Sequence, residues 1–243
     1  ARNHLWRFDL ERREAARAVA GGWVQGFDVA AGVVATVADA MDHPARVHAQ
    51  RDGEAPRRLE RFNDALLGEL RLGTHEDVAV TGAQGDPVQM WVVYPPGFDA
   101  RKKYPVLHSI HGGPHAAAGD TFHFRWNSHV FAAQGYVVAA LNYHGSSGFG
   151  HAFLDSITHR WGELELQDIE AGTDWLLAHP WADRRRVFAS GGSYGGYLVA
   201  WLNGHVAPGR YQAYVCHAGC FDWVAMFAED AYTWFPRELG ASY

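Results

Sequence analysis

From about Thr74 onward, near-continuous apolar runs that end in glycine alternate with stretches of helical spacing. This alternation constrains the fold more than any other feature of the chain. "VQMWVVYPPGF" (88–98) predicts a strand running into a Pro-Pro turn, and "YPVLHSIHGGPH" (104–115) a buried strand that ends in glycines. "HVFAAQG" (129–135) predicts a helix, and "YVVAALNYHGSSGFG" (136–150) another buried strand leading into a glycine-rich loop. "ELELQDIEAGTDWLLAH" (163–179) is the clearest helix, with Leu164, Ile169, Trp175 and Leu176 at helical spacings and acids near its start. "RRVFAS" (185–190) and "YQAYVCHAGC" (211–220) predict two more strands. Strands that are apolar along their whole length are buried on both faces. The class is therefore α/β, a mostly parallel sheet with helices on both sides.

The first 73 residues have another texture. "HLWRFDL", "AARAVA", "GWVQGFDVA", "GVVATVADA", "ARVHAQ" and "RRLERF" are short alternating runs with glycine, aspartate or charged turns between them. Their spacing, roughly 8–12 residues, is that of an antiparallel meander in a sandwich or a propeller blade. "LWRFDLERREAARAV" reads as a hairpin closed by a polar turn, and "FNDALLGEL" (62–70) as a short helical linker. So few strands leave raw edges, so residues 1–73 are expected to be the tail of a larger β domain that lies mostly upstream. Residues 74–243 are expected to form the N-terminal portion of the α/β domain.

Composition excludes several classes. With 48% hydrophobic and 14% aromatic residues, intrinsic disorder is excluded. A net charge of −6 argues against a nucleic-acid partner. No apolar run approaches the roughly 20 residues of a membrane helix. The N-terminal "ARNHLWRFDLERRE" has charges where a signal peptide needs an apolar stretch, which leaves the compartment open among cytoplasm, periplasm and secretion. Cys216 and Cys220 are expected as two buried thiols, both on the same side if their segment is a strand.

The chemistry gathers in "ASGGSYGGYLVAWL" (189–202), where Gly191 to Gly195 fit G-x-S-x-G between a predicted strand and a predicted helix. Five residues alone are weak evidence in a chain with 27 glycines, and the plain alternative is a tight turn with an incidental serine. The context is that of a nucleophile elbow. Its strained turn lifts the Ser193 hydroxyl above the sheet, at the positive end of a helix dipole. An oxyanion hole needs two N–H donors. The Tyr194 amide supplies one, and the His111-Gly112-Gly113-Pro114 loop, of HGGG type, supplies the other. His111 is expected to orient that loop and not to act as a base. "NYHGSSGFG" (142–150) has neither the lysine of a phosphate loop nor the glycine order of a dinucleotide fingerprint, and reads as a rim around the site. His108, His111 and His115 lack the spacing of metal ligands, so neither metal nor cofactor is expected.

In this order, "HGGPH", "NYHGSSGFG", "WGELELQDIEAGTDWLL", "SGGSYGGYLVAWL" and "FDW…WFPRELG" resemble the prolyl oligopeptidase family of serine peptidases, in its acylaminoacyl-peptidase and dipeptidyl-peptidase-5-like branch. The resemblance spans about residues 74–243, and the first 70 residues look like the last blades of that family's propeller. It implies an α/β-hydrolase domain capped by a propeller that restricts entry to short peptides. It implies Ser193 as nucleophile, with the Tyr194 and Gly113 amides as oxyanion donors and Gly112 as the second choice for the latter. It also implies Trp223, Cys220 and Met226 as an apolar pocket for the residue before the scissile bond, with plain core packing as the alternative. His144 stands where the family usually has arginine, and Gln167 where an acid is common. The family's acid and base lie beyond Tyr243. Asp222, Asp230, His205 and His217 follow Ser193; Asp222 belongs to the "FDW" motif, which is not the family's acid, and His205 and His217 are expected to be structural. The expected function is dipeptidyl- or acylaminoacyl-peptidase, with homo-oligomers possible. A carboxylesterase, or an inactive fragment or binding module, is the alternative.

Overall fold

The computed structural model describes residues 1–228 and 232–240, so Asp230 lies outside the described residues. Backbone packing divides the chain into two compact units, residues 1–72 with 119–127, and residues 73–118 with those from 128 on.

The first unit is antiparallel. Strands β1 (Leu5–Asp9) and β2 (Glu14–Val19) form the hairpin expected of the sequence. Asp9 Oδ1 closes its turn by accepting the Glu11 and Arg12 amides, each at 3.0 Å. Strands β3 (Trp23–Ala30), β4 (Val33–Ala40), β5 (His43–Arg51) and β6 (Arg57–Arg58) follow as a meander in sequence order. The short helix α1 (Asp64–Glu69) falls within the predicted linker. Residues 119–127 join this unit through buried acids. Asp120 Oδ1 accepts the Met41 amide at 3.1 Å, and Asp39 Oδ2 accepts the Thr121 hydroxyl at 2.5 Å.

The second unit holds strands β7 (His75–Thr81), β8 (Pro87–Val93), β9 (Tyr104–Ile110) and β10 (Val137–Leu141), then β11 (Ala182–Gly192) and β12 (Ala213–His217). Their order across the sheet is β12-β11-β9-β10-β8-β7. The pairs β12-β11, β11-β9 and β9-β10 are parallel, and β10-β8 and β8-β7 antiparallel. Helices α2 (Ser128–Ala132), α3 (His151–Asp155), α4 (Leu164–Leu177), α5 (Tyr194–His205), α6 (Trp223–Phe227) and α7 (Phe235–Leu239) complete it. Val88, Met90, Val92, Val106, Val137, Ala139 and Val187 are buried at the centre of the sheet, as continuous apolar strands require. Ile169, Leu176 and Leu177 of α4 and Leu198, Val199 and Leu202 of α5 pack into the same core.

Three features depart from the sequence expectations. "HEDVAVT" forms β7 although two acids interrupt its apolar pattern, because an edge strand buries only alternate residues. Helix α3 is too short to show a helical period. Strand β12 is mostly exposed, since among the described residues it pairs only with β11. The expected burial of both thiols is therefore corrected. Cys216 is exposed on this edge, Cys220 is half-buried beyond the strand's end, and neither is in a disulfide.

Candidate active site

Strand β11 delivers the chain to Ser193, and α5 begins at the next residue. Ser193 caps α5 with φ 58° and ψ −125°, a backbone conformation that costs a non-glycine residue of order 1–3 kcal/mol. Packing holds it there. A Cβ on Gly195 would stand 2.2 Å from the Ile110 carbonyl oxygen, and one on Gly191 2.4 Å from that of Gly195. Only glycine lets β9, β11 and α5 approach so closely. The Ser193 amide donates to the His217 carbonyl at 3.0 Å, while its side chain faces solvent at the dipole's positive end.

The His111–Pro114 loop runs directly alongside. A Cβ on Gly112 would lie 3.2 Å from Ser193 Cβ and 3.7 Å from the Tyr194 amide nitrogen. Gly113 follows at φ 130°, open to glycine alone, with its Cα side turned toward the His115 and Ala116 amides. His111 anchors the loop. Its ring stacks on Tyr143 at 4.2 Å, its Nε2 hydrogen-bonds the Ser146 hydroxyl at 2.9 Å, and the Tyr143 phenol donates to its carbonyl at 2.8 Å. Burial pushes the imidazole pKa down to about 4, so the ring is neutral at physiological pH. The 142–150 loop ties on at more points. The Gly145 carbonyl bonds His115 Nδ1 at 2.8 Å, and the Ser147 amide donates to the Ala116 carbonyl at 3.1 Å.

His144 is a buried clamp. Its Nδ1 lies 2.7 Å from Asp168 Oδ2, its amide donates to the same oxygen at 2.6 Å, and its Nε2 lies 3.3 Å from Asp86 Oδ2. Burial lowers the imidazole pKa, but the bond to Asp168 and the charges of Asp168 and Asp86 outweigh it, and the net shift is upward. Asp168 Oδ1 also takes the Ala83 amide at 2.7 Å, so one carboxylate of α4 gathers two loops.

The expected pocket residues are partly brought together. Cys220 and Trp223, with Trp161, Tyr197, Trp201 and Phe221, line a cavity of about 570 Å³, whereas Met226 packs against the core and does not line it. Trp223 meets Trp161 at 5.0 Å and Tyr197 at 5.2 Å. Burial pushes the Cys220 thiol pKa up, against a smaller downward pull from the Ser193 side chain. Asp222 and His205, which follow Ser193, have structural partners. Asp222 Oδ1 caps α6 by accepting the Ala225 amide at 3.0 Å, and His205 stacks on Trp201 at 3.7 Å. The carbonyl of His217 receives the Ser193 amide. His108 bonds Thr173 Oγ1 at 3.0 Å, and His115 Nε2 lies 3.2 Å from Glu238 Oε2. Gln167 is exposed and donates to the Glu163 carbonyl at 3.1 Å.

Glu165, Asp168 and Tyr143 stand behind the site, and motif reading did not single them out. Glu165 and Asp168 are three residues apart on α4, on the side that also buries Ile169 and Leu176. Two acids on an apolar helix face were the available signal.

A strained serine at a strand–helix turn, beside a glycine loop on a mostly parallel sheet, defines an α/β-hydrolase. Residues 122–241 match the model of the prolyl oligopeptidase family. The dipeptidyl-peptidase 5 of Schizosaccharomyces pombe is 39% identical over 174 residues, covering 70% of this chain and 26% of its own length. That of Porphyromonas endodontalis is 29% identical over 240 residues, covering 98% of this chain and 34% of its own. A solved acylaminoacyl peptidase in complex with Z-Gly-Gly-Phe-chloromethyl ketone superposes with a TM-score of 0.87 at 25% identity, over 98% of this chain and 38% of that one. The chain belongs to the prolyl oligopeptidase family, and its first unit carries the C-terminal strands of a β-propeller. It spans about a quarter to a third of the curated relatives' length. Among the described residues no helix is long and apolar enough to cross a membrane.

Proposed function

We infer that this chain is part of a serine peptidase that cleaves short peptides near their N-terminus, in dipeptidyl- or acylaminoacyl-peptidase fashion. The observation that carries it is Ser193, exposed on a strained turn at the start of α5 with the Gly112 backbone packed against it. The Ser193 hydroxyl adds to the scissile carbonyl, and its proton passes to the histidine of a His–Asp pair expected downstream of Tyr243. The Tyr194 amide and the Gly113 amide, with Gly112 as the alternative, receive the oxyanion. The amine leaves with the proton, and water then hydrolyses the acyl-enzyme by the same path. Cys220 and Trp223 border the cavity that takes the residue before the scissile bond, with Met226 behind them. Names of similar proteins support this reading: dipeptidyl-peptidase 5, and an acylaminoacyl peptidase held with a peptidyl chloromethyl ketone.

The test is labelling of the full-length protein with a fluorophosphonate and mapping of the adduct by mass spectrometry. Label on Ser193, and peptide turnover that falls by several decades in Ser193→Ala, are expected. Normal turnover by that variant refutes the assignment. Ester turnover without peptide turnover refutes the peptidase reading alone.

A further inference from the structure

Glu165 is a buried carboxylate that the acyl-transfer steps leave unused. It lies in the first turn of α4, where its Oε1 accepts the Tyr194 phenol at 2.5 Å and its Oε2 accepts the Gly162 amide at 3.1 Å. Burial pushes its pKa up, against the pull of those two hydrogen bonds. A buried acid of this kind is a poor device for stability, because an apolar residue of similar volume avoids the desolvation cost. Its partner is the informative part. Tyr194 is the first residue of α5 and follows the candidate nucleophile. Its ring stands edge-on to Trp161 at 5.0 Å and tilts against Tyr197 at 5.2 Å, both of which line the 570 Å³ cavity. The ring is rigid and packed against Trp161 and Tyr197, so holding the phenol oxygen as well restrains the Tyr194 Cα that carries the amide. Strained backbone such as that of Ser193 persists only where its surroundings over-determine it. The close contact of Gly195 with Ile110 is one such restraint, and the Glu165–Tyr194 bond is a second, applied from the opposite end of the residue.

We propose that Glu165 is a positioning residue for the oxyanion hole, holding the Tyr194 phenol so that the Tyr194 N–H points at the position the oxyanion will occupy. The inference rests on the Ser193–Tyr194 reading above. Its test is steady-state kinetics of the full-length protein on a chromogenic aminoacyl-peptide substrate, in Glu165→Gln, Tyr194→Phe and the double variant. Glutamine cannot accept at both ends, and Phe removes one oxygen without changing the packing. Each single variant is expected to lower kcat about tenfold or more with KM within about twofold, because only a transition-state interaction is lost. The double variant is expected to fall no further than the lower single. Either single variant with kcat within about twofold of the parent, or losses confined to KM or Tm, overturns the inference. If Glu165→Gln does not fold, Tyr194→Phe carries the test. If the unaltered protein turns over no peptide, the peptidase reading has failed. The rate of Ser193 phosphonylation by a fluorophosphonate then replaces kcat, since it draws on the same donors. A slower rate in both variants supports the positioning role, and an unchanged rate, or no Ser193 label at all, overturns it.

Discussion

Asp168→Asn removes one charge and turns one acceptor into a donor at a site with no room for either change. Asp168 is fully buried and accepts three hydrogen bonds, from the Ala83 amide and from the amide and ring of His144. Whichever way the asparagine turns, its NH2 faces at least one buried donor, which costs about 1–3 kcal/mol. Breaking a buried ion pair by neutralising one partner costs about 3–5 kcal/mol when the other stays charged. His144 escapes part of that by losing its proton. Asp86 replaces little, because it is 53% exposed and its oxygen lies 3.3 Å away, the kind of contact worth about 0–1 kcal/mol. The expected loss is about 3 kcal/mol at pH 5.5. The sign of its pH dependence follows from the raised His144 pKa. The protonated ring's contribution is complete below the unfolded value of about 6.5 and fades as pH rises through the higher folded value. The gap between wild type and variant is therefore largest at pH 5.5 and smaller at pH 9. Urea unfolding of the full-length protein at both pH values, read as a shift in midpoint at constant slope, measures it. Other histidines contribute to both proteins alike and cancel in the difference. A gap below about 0.5 kcal/mol at pH 5.5, or one that widens toward pH 9, refutes the account.

Further outcomes follow from the same contacts. Gly195→Ala places a methyl 2.2 Å from the Ile110 carbonyl, and is expected to cost several kcal/mol or abolish folding in a denaturation assay. Gly204→Ala, on the same helix with nothing within 4 Å, is expected to stabilise by up to about 1 kcal/mol. Brief iodoacetamide treatment, mapped by mass spectrometry, should modify exposed Cys216 before Cys220, whose thiol is half-buried with a raised pKa.

The parts of the fold legible in the sequence are those written in contiguous residues. Val137–Leu141 is apolar throughout and lies buried between two strands. The 163–179 pattern folds as α4, and the glycines around Ser193 mark the place where β11 and α5 nearly touch. Legibility fails where partners are distant in the chain. Asp39 and Asp120 bring residues 119–127 to the first unit, although no local pattern marks that excursion. His144 stands where the family usually has arginine, a residue with a fixed charge. The structure instead gives the imidazole two acids, one on α4 and one just before β8, and no spacing rule joins three such positions. Strand β12 misled because an apolar run declares what a strand can bury, and says nothing of how many neighbours it has.

The two buried acids of α4 have complementary tasks. Asp168 holds the 142–150 loop through His144, and that loop holds His111 through Ser146. The chain of contacts therefore ends on the glycine loop beside Ser193. Glu165, one turn earlier, holds the first residue of α5 through its phenol and so reaches the same place from the other side. Neither acid touches the Ser193 hydroxyl. Both candidate oxyanion donors are thus referred to one rigid helix, whose own position is set by Gly172 lying against Leu141 and Met90 at the centre of the sheet. Two donors carried on separate segments, a helix start and a glycine loop, keep a fixed separation only if both are anchored to a common body, and a separation held to within about 0.5 Å is what electrostatic preorganisation demands. The desolvation cost of two buried carboxylates then has a reason that packing alone does not provide.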